Sequence, residues 1–287
     1  MSGQGSSQVS KRRAPPGLHR VEHIMGMPIG IDVRDVGVNP AVIAKTFDRL
    51  RRADATFSTY RPDSDISRLN AGMADPIHLD PDVRAVLDRC DEIRRQTDGY
   101  FDIRTDHLPI ELVTASGEIT TAGIDPSGLV KGWAVDRAAE ILDAAGVRNY
   151  SINAGGDVRV RGGALPDPFW RIGIQHPFVP DRVAAVVQAT DLAIATSGTY
   201  ARGEHIVNPH TGRPPRGVLS VTITGPDLAT ADAYATAIYA MGQTGPAWSA
   251  WLTGYESMTI LDNETVVSTR GFPFAPREGA DVPLDAS

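Results

Sequence analysis

The sequence of 287 residues has a single cysteine, Cys90. One thiol excludes an internal disulfide and a metal centre built from several cysteines. Any metal binding or catalysis must therefore use oxygen and nitrogen groups. Cys90 itself falls on the apolar face of a predicted helix, which indicates ordinary packing.

Long apolar runs are also missing. No stretch approaches the roughly 18 apolar residues needed to span a membrane. The N-terminal segment lacks the apolar region of a secretion signal. We therefore expect a soluble, cytoplasmic protein without stable membrane insertion.

Basic residues are fewer than acidic ones, with 28 Lys and Arg against 35 Asp and Glu and a formal charge of −7. An acidic chain repels nucleic acid and anionic membranes unless it concentrates a basic patch. The basic cluster at residues 11–13 lies in a polar tail. The composition thus predicts no nucleic-acid partner.

Polar, Pro- and Gly-rich composition predicts disordered tails over residues 1–18 and 277–287, which leaves one folded part over 19–276. Two helices are predicted at Asn39-Pro40 and Asp80-Pro81, because each pair supplies an N-cap and a first helical position. The apolar positions that follow at helical spacing are Ile43, Phe47 and Leu50 in the first helix, and Val83, Val86, Leu87, Cys90 and Ile93 in the second.

Between these helices, residues 57–70 are rich in turn formers and predict a long binding loop without secondary structure. Apolar and alternating patterns predict the remaining elements. They are strands over 24–33, 150–153, 158–160, 170–174, 183–189, 193–194 and 218–224, late strands near 258 and 266, and helices over about 133–146 and 228–241. Strands outnumber helices and several are adjacent, so we predict an α+β fold.

One predicted helix carries a candidate metal pair. Asp232 and Thr236 are four residues apart, so a helix places both side chains on one face. Mg²⁺ prefers oxygen ligands and shares one or two carboxylates with substrate phosphates. The alternative is a capped, alanine-rich helix in which Asp232 only favours the positive end of the helix dipole.

A second candidate is Lys131, at a helix start within the segment DPSGLVKG at 125–132. Backbone N–H groups at a helix start and a lysine can bind phosphate together. The spacing is not that of a P-loop, because no Ser or Thr follows Lys131-Gly132. The alternatives are a solvated lysine here and an ordinary glycine turn in NAGGD at 153–157.

Hydroxyls, an arginine and histidines concentrate over residues 195–212. Loop capping explains most such residues, and a histidine beside a strand commonly satisfies a local hydrogen bond. His205 is nevertheless the best candidate for a general base. His210, in a Pro-His-Thr-Gly turn, is predicted to be exposed.

Taken in order, these segments are similar to the ApbE family of FAD:protein FMN transferases, from about residue 24 to residue 272. The matching motifs are MG at 25–26, STYRPDSDISRLN at 58–70, TDGYFD at 97–102, DPSGLVKGWAVD at 125–136, NAGGD at 153–157, ATSG at 195–198, HIVNP at 205–209 with TG at 211–212, and ADAYAT at 231–236. Eight ordered matches are unexpected by chance.

The resemblance implies a two-part α+β fold with mixed or antiparallel sheets, flanking helices and FAD bound between the parts. It implies a magnesium ion held by the Gly128 carbonyl, Asp232 and Thr236, with the Ala235 carbonyl as a further ligand. The residues implied at the flavin are Met25, Tyr60, Tyr100, Phe101, Asp102, Asp125, Lys131, Ser197, His205 and Ile206.

The implied reaction moves FMN from FAD onto a threonine or serine hydroxyl of an acceptor protein and releases AMP. Lys131 and Mg²⁺ would stabilise the charge on the departing AMP, and His205 would help deprotonate the acceptor. The family's acceptors are subunits of respiratory or related electron-transfer complexes.

The sequence departs from the family at Asn208, where aspartate is usual, and in a short 198–205 loop. Two other activities stay open at this point. Water in place of the acceptor hydroxyl would make the protein an FAD hydrolase that forms FMN and AMP. A protein that binds FAD without chemistry is the third possibility.

Overall fold

A computed structural model describes residues 17–74, 79–105, 112–113, 119–120, 123–179, 181–198 and 206–276. The tails predicted to be disordered fall almost entirely outside these ranges, and the first strand begins at Leu18. No helix among the described residues is both long enough and apolar enough to cross a membrane.

The helices predicted at Asn39-Pro40, at Asp80-Pro81 and over 228–241 form as predicted, whereas the helix predicted over about 133–146 already begins at Ser127 and two short helices were not predicted. The helices are α1 Pro40–Phe57, α2 Asp65–Asn70, α3 Pro81–Gln96, α4 Ser127–Ala144, α5 Leu228–Met241 and α6 Gly245–Ser249. The Asn39 side chain accepts a hydrogen bond from the Ala41 N–H at 2.9 Å, and the Asp80 side chain accepts one from the Asp82 N–H at 2.8 Å. Both predicted N-caps are therefore confirmed.

The prediction that residues 57–70 contain no secondary structure is wrong at α2. Ser64 caps this short helix by accepting a hydrogen bond from the Ser67 N–H at 3.0 Å, and Ile66 and Leu69 are buried. Asn70 then pairs with the Ile124 backbone, donating at 2.8 Å and accepting at 2.9 Å. Burial of two apolar side chains and this distant contact stabilise a segment whose composition favours turns.

Fourteen strands lie within the described ranges. They are β1 Leu18–Ile24, β2 Met27–Val33, β3 Arg104–Thr105, β4 Leu112–Val113, β5 Ile119–Thr120, β6 Gly123–Ile124, β7 Tyr150–Ala154, β8 Asp157–Arg161, β9 Trp170–Gln175, β10 Val183–Ala189, β11 Leu192–Gly198, β12 Val218–Gly225, β13 Glu256–Leu261 and β14 Val266–Ser268.

Among the described residues, eight strands form one sheet in the spatial order β1-β2-β7-β8-β11-β12-β13-β14. Every neighbouring pair in it is antiparallel. The single strand predicted over 24–33 is instead the end of β1 and all of β2. Met25 and Gly26, with φ of 55° and 72°, form the tight turn between them.

Each face of the large sheet has its own apolar core. On one face, α1, α3, α4 and α5 pack on side chains that include Ile31 and Ile152. On the other face, the β9–β10 hairpin packs Trp170 and Val187 against residues such as Val160. Helices on one side of an antiparallel sheet confirm the predicted α+β class.

Candidate active site

The predicted metal pair lies on the face of α5 that packs toward α4. Asp232 is 3% exposed, and Thr236 follows one turn later on the same face. The helix does not need Asp232 as a cap, because the Asp227 side chain accepts a hydrogen bond from the Thr230 N–H at 2.8 Å. The helix is therefore capped, as the alternative assumes, but Asp232 is its fifth residue, and the effect of the helix dipole falls off within the first turn.

Gly128 of α4 and Thr236 of α5 lie side by side, as the resemblance implies. A Cβ built on Gly128 would be 3.6 Å from Thr236 Oγ1 and 3.3 Å from Phe101 Cε2. Ser197, on β11, places its Oγ 3.4 Å from Thr236 Oγ1. Two hydroxyls thus meet beside a glycine whose missing side chain leaves the backbone accessible.

The short strand predicted at 193–194 continues as β11 to Gly198, so residues 195–198 are not a loop. Hydrogen bonding to β12 extends the strand, because Ser197 pairs with Val221 in the antiparallel register. Ser197 is consequently held on a buried strand rather than on a mobile connection.

Lys131 lies between two buried carboxylates. Its Nζ is 2.6 Å from Asp157 Oδ2 and 3.5 Å from Asp232 Oδ1. The other Asp157 oxygen accepts a hydrogen bond from the Thr196 N–H at 3.0 Å. Asp157 had no role in the sequence-based prediction, although it ends the quoted NAGGD motif. Its position immediately after a glycine turn was the available signal.

This cluster carries more negative than positive charge in a buried place. Burial raises the pKa of Asp232, Lys131 lowers it, and Asp157 raises it further. Lys131, with Nζ 3.5 Å from Asp232 Oδ1, and the Gly132 backbone N–H both interact with this carboxylate and lower its pKa against the effect of burial. A buried carboxylate is costly unless charged or polar groups compensate it, and these two contacts supply part of that compensation.

The donors nearby fit a hard cation. Among the described residues, no group of three or more His, Cys, Asp and Glu side chains could hold a metal ion. The site offers the Asp232 carboxylate and the hydroxyls of Thr236 and Ser197 instead. This sparse oxygen set matches Mg²⁺, which usually takes its remaining ligands from water and phosphate.

The residues implied at the flavin are placed differently from one another. Phe101 is buried at the site, and Met25, Tyr100 and Ile206 are partly buried against the same core. The Tyr100 ring meets the exposed His210 ring edge to face, with centroids 4.5 Å apart.

Tyr60 is the exception among the aromatic residues, since it is 95% exposed. Ala235 is buried within α5. His205 lies outside the described residues, so its role as a base stays a prediction.

Asp102 and Asp125 both organise the local backbone. Asp102 accepts a hydrogen bond from Arg94 Nε at 3.0 Å and one from Arg104 Nε at 2.9 Å. Asp125 Oδ1 accepts a hydrogen bond from the Ser127 N–H at 3.0 Å. Asp102 lines a groove of about 530 Å³ that also contains His210. These carboxylates shape the loops around the site.

The fold and the site together define an α+β protein in which buried carboxylates, a lysine and hydroxyls meet where two helices pack on the sheet. The sequence profile of the ApbE family matches residues 25–110 and 109–258. The chain belongs to the ApbE family, which confirms the resemblance found in the sequence.

Known proteins agree with this assignment. The chain is 31% identical to a Vibrio cholerae FAD:protein FMN transferase over 238 residues, which cover 68% of this chain and 71% of that protein. It is 26% identical to the Haemophilus influenzae FAD:protein FMN transferase over 273 residues, which cover 76% and 79% of the two chains.

The structure of the flavin transferase ApbE from Vibrio cholerae superposes with a TM-score of 0.78 at 26% identity, covering 90% of this chain and 99% of that one. The ApbE protein from Thermotoga maritima superposes with a TM-score of 0.77 at 24% identity, covering 89% and 98%. The second comparison supports the fold.

Proposed function

We propose that this chain transfers FMN from FAD to a threonine or serine hydroxyl of an acceptor protein, releasing AMP, with Mg²⁺ as cofactor. The observation that carries the proposal is that the buried Asp232 carboxylate lies one helical turn from Thr236, whose hydroxyl lies beside Gly128 of α4. The chain also belongs to a family in which similar proteins from Vibrio cholerae and Haemophilus influenzae are named FAD:protein FMN transferases.

Asp232, Thr236 and the Gly128 carbonyl would hold the metal, with the Ala235 carbonyl as a further ligand. When bound, Mg²⁺ neutralises charge on the FAD pyrophosphate and favours its cleavage. Lys131 is held by Asp157 at 2.6 Å and would stabilise the charge that develops on AMP.

In the transfer, the acceptor oxygen forms a bond to the phosphorus of the FMN half. The anhydride bond to AMP breaks, and AMP leaves with the electron pair. The hydroxyl proton must pass to a base, for which His205 is our candidate. Phe101 and Tyr100 would hold the flat flavin ring against the site, since aromatic faces suit such a ligand.

Removal of the Asp232 carboxylate tests the metal site. Asp232→Ala should abolish FMN transfer to a co-expressed acceptor subunit, detected by mass spectrometry. It should also abolish Mg²⁺-dependent binding of FAD, detected by flavin fluorescence without any acceptor. Asp88→Asn, which changes an exposed carboxylate of α3, is the matched control. Undiminished transfer by Asp232→Ala would show that the metal assignment is wrong.

A second experiment separates transfer from hydrolysis. The wild-type chain is incubated with FAD and Mg²⁺ in the absence of acceptor, and AMP is measured. We expect at most slow release, because the acceptor supplies the attacking oxygen. Rapid multiple-turnover release of AMP would make the protein an FAD hydrolase instead.

The acceptor and the location are further proposals. We propose a subunit of an electron-transfer system as the acceptor. The acceptor would then present its hydroxyl in the cytoplasm, where the sequence predicts this chain.

A further inference from the structure

A stripe of three α4 residues faces α5. Gly128, Gly132 and Asp136 are spaced four residues apart, so they lie on one side of the helix. Gly128 is beside Thr236, and Gly132 is against Leu228. Asp136 reaches the first residues of α5. The two helices therefore run antiparallel along this stripe.

Asp136 binds the backbone at the beginning of α5. Its Oδ2 accepts hydrogen bonds from the Leu228 N–H and the Ala229 N–H, each at 2.9 Å. The helix's own N-cap, Asp227, satisfies the Thr230 N–H through its side chain and the Ala231 N–H through its carbonyl. The three N–H groups at the beginning of α5 that lack a helical carbonyl partner, those of Leu228, Ala229 and Thr230, are thus satisfied by two carboxylates.

Asp136 is itself anchored to the sheet. Arg159 of β8 lies with Nη1 3.4 Å from Asp136 Oδ1 and donates to the Pro226 carbonyl, just before α5. The side chain of Asp136 is 12% exposed, so these contacts are largely shielded from water. The Asp136 carboxylate consequently connects α4, which carries it, with strand β8 and with the beginning of α5.

We propose that Asp136 is a positioning residue for the active site, which sets the register of α5 against α4. Asp232 lies one turn after the two N–H groups that Asp136 binds, and Thr236 lies one turn further. A slip of α5 along α4 would separate Asp232 from Lys131 and Thr236 from Gly128. This inference rests on the proposed function, because it says that Asp136 affects the affinity for Mg²⁺ at the proposed metal site.

The test compares Asp136→Ala and Asp136→Asn with Asp143→Asn. Asp143 is also on α4, but its partners are Tyr150 and Arg161 rather than α5. The first readout is amide hydrogen exchange over residues 227–231. We expect about 5-fold faster exchange or more in Asp136→Ala, since a lost cap exposes these groups. We expect an intermediate effect in Asp136→Asn, which keeps one acceptor oxygen, and no change in Asp143→Asn.

The second readout is the Mg²⁺ concentration that gives half-maximal FAD binding, followed by flavin fluorescence. We expect it to rise about 10-fold in Asp136→Ala, as for other residues that orient metal ligands, and to stay unchanged in Asp143→Asn. Binding of FAD at saturating Mg²⁺ should remain within about 2-fold of wild type, because the ligands themselves are retained.

The outcomes separate this inference from the proposed function. If FAD binding by the wild type depends on Mg²⁺ and Asp136→Ala reaches half-maximal FAD binding at the same Mg²⁺ concentration, Asp136 only caps the helix. The inference is then wrong, although the proposed metal site stands. If wild-type binding of FAD does not depend on Mg²⁺, the proposed metal site fails and the inference fails with it.

Discussion

Gly132→Ala is expected to disrupt the contact between α4 and α5 at the active site. A Cβ at position 132 would lie 2.3 Å from the Leu228 carbonyl oxygen, 2.5 Å from the Leu228 carbonyl carbon and 2.7 Å from the Ala229 nitrogen. All three atoms belong to the backbone, so no side chain can rotate to make room. Restoring an ordinary 3.4 Å contact requires the helices to move apart by about 1.1 Å.

The energetic effect has two opposing parts. Overpacking against a rigid neighbour costs about 3 kcal/mol. Alanine in a helix interior is more favourable than glycine by about 1 kcal/mol. The net loss in the free energy of unfolding is therefore about 2 kcal/mol, which lowers Tm by about 4 °C in a protein of this size.

The assay is urea denaturation followed by circular dichroism, together with FAD binding in Mg²⁺. Gly30→Ala is the control, because a Cβ there meets Val21 Cγ2 at an ordinary 3.7 Å and should change stability by less than about 0.5 kcal/mol. Gly132→Ala should also bind FAD more weakly, since the shift separates Lys131 from Asp232. Wild-type stability together with wild-type FAD binding in Gly132→Ala would refute the close contact as a determinant of the site.

Two further substitutions test the buried carboxylates. Asp157→Asn should lower the free energy of unfolding by about 1.5 kcal/mol, because it removes a charged hydrogen-bond partner of Lys131 but leaves Asp232 3.5 Å away. Urea denaturation measures this loss, and a loss no larger than that of the exposed control Asp88→Asn would contradict it. At Asp102, burial raises the pKa, but hydrogen bonds from Arg104 outweigh it, and the folded pKa lies below the ordinary 3.8. The charged carboxylate therefore stabilises the fold above pH 3.8, and this contribution is lost as pH falls through the folded pKa. Asp102→Asn should thus be less stable than wild type at pH 7, with a difference that shrinks in acid unfolding curves; a difference independent of pH would contradict the assignment.

The helices that the sequence predicted well are those with local start signals. Asn39 and Asp80 each cap a helix through their own side chains, and each is followed by proline. These interactions join residues two positions apart in the chain. Local chemistry of this kind is visible in sequence, so the beginnings of α1 and α3 were predicted correctly.

The errors occurred where the pairing of strands decides the structure. The apolar pattern over 24–33 continues through the turn at Met25, and only antiparallel pairing of β1 with β2 divides it. Gly26 was the local signal that could have indicated the turn. Likewise, β11 extends to Gly198 because β12 pairs along its length, and residues 195–198 contain no strand signal of their own.

The sequence by itself determined which side chains share a helix face. Asp232 and Thr236 had to lie together on α5, because their spacing matches one helical turn. The family resemblance added the expectation of magnesium and FAD.

Only the tertiary structure decided what faces that pair. Lys131 reaches both Asp157 and Asp232 because α4 packs against α5 and next to β8. The missing side chain at Gly132 sets the distance between the helices. Such contacts join residues far apart in the chain, and their geometry depends on the packing of the whole core.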